Sequence, residues 1–152
     1  MKEGIRSFVK RVVENHKLEG GNVLDVGARD INGNLRDIFE SVGYAYLGLD
    51  MLEGPNVDLV CNSHDMGEHF EDDTFDIVSC AEMMEHDIKF WETAKEIRRV
   101  LKKGGLFVFT VPDHKFNYHE YPGDYYRFMK DAVEDVIFEG FEILDYKDAD
   151  GS

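Results

Sequence analysis

Residues 23–33, VLDVGARDING, constrain the fold of this chain more than any other stretch. A short apolar strand carries an acid, Asp25, near its end. Gly27 follows, then a polar turn that Gly33 closes ahead of a helix. Seventeen residues past Gly33 a second apolar run, AYLGLD, ends in Asp50. An acid at that strand end can take both hydroxyls of a ribose, and parallel α/β sheets bind ligands at the carboxyl ends of their strands. A pyrophosphate does not suit the loop. The dinucleotide fingerprint G-x-G-x-x-G keeps glycines where phosphates approach the backbone, whereas here Arg29 and Asp30 fill the middle and Asp25 repels a phosphate. An acid at the first strand end suits a cationic ligand instead, one with an amino group and a sulfonium.

Further motifs follow in order. CNSHDMGEHF (61–70) carries Asp65, FDIVSCAEMMEH (75–86) reads as a fourth strand and its turn, and LKKGGLFVFTVP (101–112) reads as a helix end, a glycine turn and a fifth strand. Taken together, these segments resemble the class I S-adenosylmethionine-dependent methyltransferases over roughly residues 20–146. The resemblance implies a Rossmann-like α/β fold, a three-layer sandwich whose mostly parallel sheet has six or seven strands flanked by helices. It also implies S-adenosylmethionine as cofactor and S-adenosylhomocysteine as product. That family usually finishes with an antiparallel seventh strand, but this sequence stops at Ser152, shortly after an apparent sixth strand. Either the sheet has six strands, the last strand pairs differently, or the chain is shortened. An open sheet edge would leave room for a second copy in a homodimer.

Length and composition bound the rest. A chain of 152 residues, 43% hydrophobic and 12% aromatic, is expected to form one globular domain. Residues 1–19 form its N-terminal helix, 20–146 its cofactor-binding core and 113–127 its substrate loop. The longest apolar run, LFVFTV, is too short for a bilayer span. No apolar segment of a secretory leader opens the sequence, so a cytoplasmic setting without membrane contact is expected. Cys61 and Cys80 fall in or beside apolar strands, which points to reduced core thiols. The net charge is −15; residues 1–17 hold five Lys/Arg against two Glu, so the remainder is more acidic still. Such a body repels nucleic acid.

Periodicity places the elements. Ile5, Phe8, Val9, Val12 and Val13 mark one apolar stripe of a helix over 4–16, whose basic outer face is expected to be solvated. Strands are expected at 23–26, Tyr44–Asp50, 57–61, 75–80, 106–111 and 141–146. Helices are expected at 35–41, stopped by Gly43, at 88–101 and at 128–138. The helix over 88–101 turns Phe90, Trp91, Ala94, Ile97, Val100 and Leu101 inward.

The resemblance distributes roles. Gly27, with Asp25, Ala28 and Gly33, brings the backbone near the methionine part of the cofactor. Arg29 stands where the family usually keeps a glycine; it pairs with the cofactor carboxylate or equally with Asp30 or Asp50. Asp50 takes the ribose, Met51 packs on adenine, and Asp65 accepts the adenine amine, with Met66 lining the pocket. An N-cap role for Asp65 is the alternative. Ala81 and Glu82 flank the methionine moiety, and Glu82 holds its amino group or faces the acceptor. His86, His114 and His119 are candidate bases, although His86 equally suits a turn-capping role. Tyr118, Tyr121, Tyr125, Tyr126 and Arg127 form the substrate wall or simply cover the sheet edge. The histidines, with His64 and His69, match no zinc spacing, so no metal is expected.

Three functions fit in descending order. The first is methyl transfer to a small-molecule acceptor. The second is a catalytically silent domain that binds adenosylmethionine or its product and serves regulation or assembly. The third, an NAD-linked oxidoreductase, is weakened by the missing second glycine and by Asp25.

Overall fold

Alternating strands and helices wind into a parallel sheet, because each right-handed crossover returns the chain in the same direction. The computed structural model describes residues 3–120 and 122–148. Its strands are β1 (Gly21–Val26), β2 (Tyr44–Asp50), β3 (Leu59–Val60), β4 (Phe75–Ala81) and β5 (Leu101–Thr110). They pair in the order β3-β2-β1-β4-β5, all parallel. The helices are α1 (Glu3–Asn15), α2 (Arg36–Glu40), α3 (Phe90–Val100) and α4 (Lys130–Ala132), the last widening into a π turn at Val133–Ile137. Short 3-10 turns occupy Ser63–Glu68 and Met84–His86.

The three layers follow from a period of two along each strand. On β1, Val23 packs with Val9, Val12 and Phe39 beneath α1 and α2, while Leu24 and Val26 pack with Met66, Val78 and Ile97 beneath α3. Full burial of each such side chain stabilises by about 1.5–3 kcal/mol. Because β1 passes first to β2 and only later to β4, strand order reverses between β1 and β4. A crevice opens at the carboxyl end of such a switch point. Gly27 and Ala81 lie there.

Among the described residues the sheet has five strands rather than the six or seven expected. Residues 141–146 join no ladder. Instead Phe138 and Phe141 pack their rings on Phe107, 5.5 and 5.4 Å away on the α3 side. The segment then runs past the β5 edge, and Asp145 meets Arg11 of α1 at 2.7 Å. The strap and β5 line a cleft of about 590 Å³.

Other boundaries shift for tertiary reasons. β5 begins at Leu101, five residues early, because Leu101 pairs with Phe75 before the ladder resumes at Ile77↔Leu106. The helix of 88–101 is correspondingly Phe90–Val100, and Trp91 is 45% exposed rather than inward. Only Leu59 and Val60 of 57–61 pair with β2. The basic face of α1 is not merely solvated, since Arg6 grips Asp37 through two bonds of 2.7 and 3.0 Å. No described helix is long and apolar enough to cross a membrane.

Candidate functional site

The loop after β1 is held by the end of β2. Gly27 and Ala28 donate to the Leu49 carbonyl at 2.9 and 3.0 Å. Arg29 N–H donates to one oxygen of Asp50 at 3.1 Å and Leu52 N–H to the other at 3.0 Å. One carboxylate therefore clamps both strand ends. Met51, next to it, is 55% exposed. The turn closes on Asp30, which accepts from Gly33 N–H at 2.6 Å and from the Asn34 amide at 2.7 Å. The Arg29 side chain lies across Gly54, where a β-carbon would come within 2.6 Å of its Nε. Gly27 has φ +81°, and a β-carbon there would stand 2.4 Å from Met83. Glycine is thus required by packing from the β4 side as well as by the turn.

Asp25 is a buried acid with partners on two neighbouring strands. It is 3% exposed and accepts from the Tyr46 hydroxyl and from Ser79 Oγ, the latter at 2.8 Å. Burial pushes its carboxyl up to about 6 against those two bonds, helped by the charge of Asp50. Asp25 supports the loop from below. Met66, expected in the pocket wall, is fully buried in the core. Asp65 is exposed on the 3-10 turn, and its neighbour Asn62 is the cap, accepting from His64 N–H at 2.9 Å.

That turn is stitched to the far side of the crevice. Ser63 meets Thr93 at 2.6 Å, His64 meets Asp87 at 2.8 Å, and Thr93 donates to Asp87 at 2.5 Å. At the end of β4, Ala81 is 9% exposed. Glu82 has φ +51°, a left-handed conformation that costs a non-glycine residue about 1–2 kcal/mol. Its N–H donates to the Thr110 carbonyl at 2.9 Å. The chain is bent sharply there, beside Gly27.

Residues 113–120 and 122–127 return over this bend. Tyr125 and Tyr126 N–H groups both donate to the Glu85 carbonyl, at 2.8 and 3.2 Å. Tyr126 is taken up by packing: its hydroxyl donates to the Ile88 carbonyl at 2.7 Å and its ring meets Phe90 at 5.0 Å. Arg127 is a loop stitch, forked onto Asp124 at 2.5 and 2.6 Å and donating to the Asn117 carbonyl at 3.0 Å. Tyr118 and Tyr125 are 69% and 53% exposed. Tyr121 lies outside the described residues. His114 is half exposed against Asp113 at 3.7 Å.

His86 and His119, far apart in sequence, meet edge to face at 4.8 Å. Between them lies Glu85, a residue to which the sequence assigns no role. It is fully buried, and neither carboxylate oxygen has a hydrogen-bond partner. Burial, with the charge of Glu82 nearby, pushes its carboxyl up to about 8. Only its position beside His86 after β4 could have drawn notice; burial and the approach of His119 are tertiary facts.

Comparison with known proteins agrees with this architecture. Residues 1–136 match the family model described as a methyltransferase domain. An uncharacterized protein of Methanocaldococcus jannaschii is 36% identical over 77 residues, 49% of this chain and 34% of that protein. Among solved structures, 1,6-didemethyltoxoflavin-N1-methyltransferase of Burkholderia thailandensis, with bound 1,6-didemethyltoxoflavin and S-adenosylhomocysteine, superposes with a TM-score of 0.71 at 16% identity, covering 90% of this chain and 66% of that one. A SAM-dependent methyltransferase of Archaeoglobus fulgidus gives 0.68 at 16% identity, covering 87% and 66%. The chain thus spans about a third of the curated relative and 66% of each of these two structures. The structural likeness is one of fold, while the family match runs through both strand ends and the bend after β4. By that match this chain belongs to the methyltransferase domain family, on the fold of the class I S-adenosylmethionine-dependent enzymes.

Proposed function

We propose that this chain binds S-adenosylmethionine at the carboxyl ends of β1, β2 and β4 and transfers its methyl group to a small-molecule acceptor. The observation that carries this reading is the Asp50 clamp, with two backbone N–H groups on its inner lone pairs and outer lone pairs free for a ribose diol. The donor set fits the group: a carboxylate at the β2 end, a glycine turn at the β1 end, exposed Asp65 for an amine and Glu82 beside the turn for an ammonium. The bound cofactor supplies an electrophilic methyl on a sulfonium.

The rest is alignment and exclusion of water. Ala28, Gly33 and Ala81 keep the crevice walls low, Arg29 holds the Gly54 turn against the loop, and Met51 offers an apolar face to a base. Tyr118 and Tyr125 present exposed rings to an acceptor under the 113–127 loop. A proton leaving an amine or hydroxyl acceptor has the imidazoles of that loop and of the β4 turn as its nearest takers. An intracellular metabolite is the class of acceptor in this reading, and a second copy of the chain suits the open side of β5.

The short sheet favours a second reading, a cofactor-binding domain without turnover. Calorimetry with S-adenosylmethionine and S-adenosylhomocysteine, followed by assay for S-adenosylhomocysteine release with candidate acceptors, separates the two. Asp50→Ala removes charged hydrogen bonds worth about 1.5–3 kcal/mol and weakens cofactor affinity at least about tenfold. Unchanged affinity in that variant moves the ribose elsewhere and overturns the reading.

A further inference from the structure

Three side chains that the cofactor site leaves unused converge behind the bend after β4. One oxygen of Glu85 lies 3.4 Å from His86 Nε2 and 3.7 Å from His119 Nε2. All three ligand-capable atoms fall within 4.8 Å of one another. The outer nitrogens of both rings are committed elsewhere. His86 Nδ1 sits 2.5 Å from the Gly123 carbonyl, an acceptor only, so Nδ1 carries the proton and Nε2 is a lone pair facing Glu85. His119 Nδ1 faces Asp124 at 3.5 Å. Arg127 Nη2 lies 3.4 Å from that nitrogen and, having no lone pair to accept with, donates to it. The proton of His119 therefore sits on Nε2, and a cation bound there displaces it.

The Glu85 carboxyl and the inward nitrogen of His86 face one another with no hydrogen bond between them, a geometry that a cation placed between them satisfies. The fully buried Glu85 carboxylate, with no hydrogen-bond partner for either oxygen, is the clearest sign of such a partner, since buried polar groups are otherwise satisfied. From this geometry we infer that Glu85, His86 and His119 form a binding site for one divalent first-row transition cation, zinc foremost. Zinc ligands about 2.0–2.2 Å from the metal stand about 3.3–3.6 Å apart across a tetrahedral angle, close to the two Glu85 separations. Closing the gap between the imidazoles needs only a small rotation of the half-buried His119. The Gly123 carbonyl supplies the outer hydrogen bond that orients His86, and Arg127 the one that orients His119.

Three protein ligands leave at least one position open, as in sites that activate an oxygen. Bound there, the hydroxyl of an acceptor or a water is acidified by the ion, and the two imidazoles hold metal instead of accepting a proton. Metal binding itself stands apart from methyl transfer, so its failure and the failure of cofactor binding are separate results.

The test uses the whole chain, stripped with a chelator and titrated with zinc chloride in a calorimeter without cofactor. One equivalent is expected to bind, and Glu85→Gln and His119→Ala are each expected to weaken affinity by at least about tenfold. Imidazole nitrogen resonances provide a readout that no variant's folding can spoil: in the unaltered chain, Nε2 of His86 and His119 shift on adding zinc while Nδ1 of His86 keeps the protonated position. Absence of saturable binding overturns the assignment. So does binding that leaves both Nε2 signals in place, or that both variants retain at full strength.

Discussion

Gly27 and Glu82 end adjacent strands with positive φ, +81° and +51°, for different physical reasons. At Gly27 a side chain would collide with Met83, so the glycine visible in the sequence serves strand-to-strand packing as much as ligand access. At Glu82 a charged residue is held in a strained conformation, and such strain persists where the surroundings over-determine it. The strand that ends in Asp50 was legible from sequence alone, because an acid closing an apolar run marks a strand end. Asp25 was not, since burial against Tyr46 and Ser79 depends on the register that sets β1 beside both β2 and β4. Its titration is measurable. With the carboxyl raised from 3.8 to about 6, the folded chain keeps a proton that the unfolded chain has already released. Stability from this group is complete below pH ~3.8 and is lost as pH rises to ~6, a fall of about 3 kcal/mol. Urea unfolding from pH 4 to 7 is expected to show Asp25→Asn gaining on the unaltered chain by that amount. Parallel curves would place the carboxyl's titration outside this window.

Among the elements, the strap over 138–146 departs most from expectation. Phe141 and Ile143 alternate like strand residues, yet strand pairing requires a partner at the right distance. The rings of Phe138 and Phe141 on Phe107 set the chain away from β5. Ring packing, and not the ion pair to α1, is expected to hold the strap. Phe138→Ala should cost about 2–3 kcal/mol, below the range for fully buried rings because Phe138 is half-buried. Arg11→Ala breaks a partly exposed pair with Asp145 and should cost no more than about 1 kcal/mol. Chemical denaturation of the two variants checks the order, and the reverse order would assign the strap to electrostatics. By contrast β2 is found over Tyr44–Asp50 as expected, because Gly43 and Asp50 bound an apolar run that both neighbours bury. The early start of β5 was hidden by Lys102, Lys103 and two glycines, which read locally as a helix end.

For the whole molecule, ligand binding and stability are one equilibrium. A cofactor that binds only the folded chain adds about 2.7 kcal/mol at a hundred times its Kd, a rise of roughly 5–10 °C in Tm at this length. Thermal melts are expected to rise with S-adenosylmethionine and S-adenosylhomocysteine and to stay still with NAD; a rise with NAD alone would return the crevice to dinucleotides. The sequence by itself determined the parallel α/β architecture and the two strand ends that meet at the crevice, because period-two burial, glycine turns and terminal acids act over a few residues. Tertiary structure alone decided that the sheet of the described residues has five strands, that Asp25 is buried against Tyr46 and Ser79, and that Glu85, His86 and His119 meet. Those outcomes depend on which distant surfaces compete for the same space, and local patterns carry no measure of that competition.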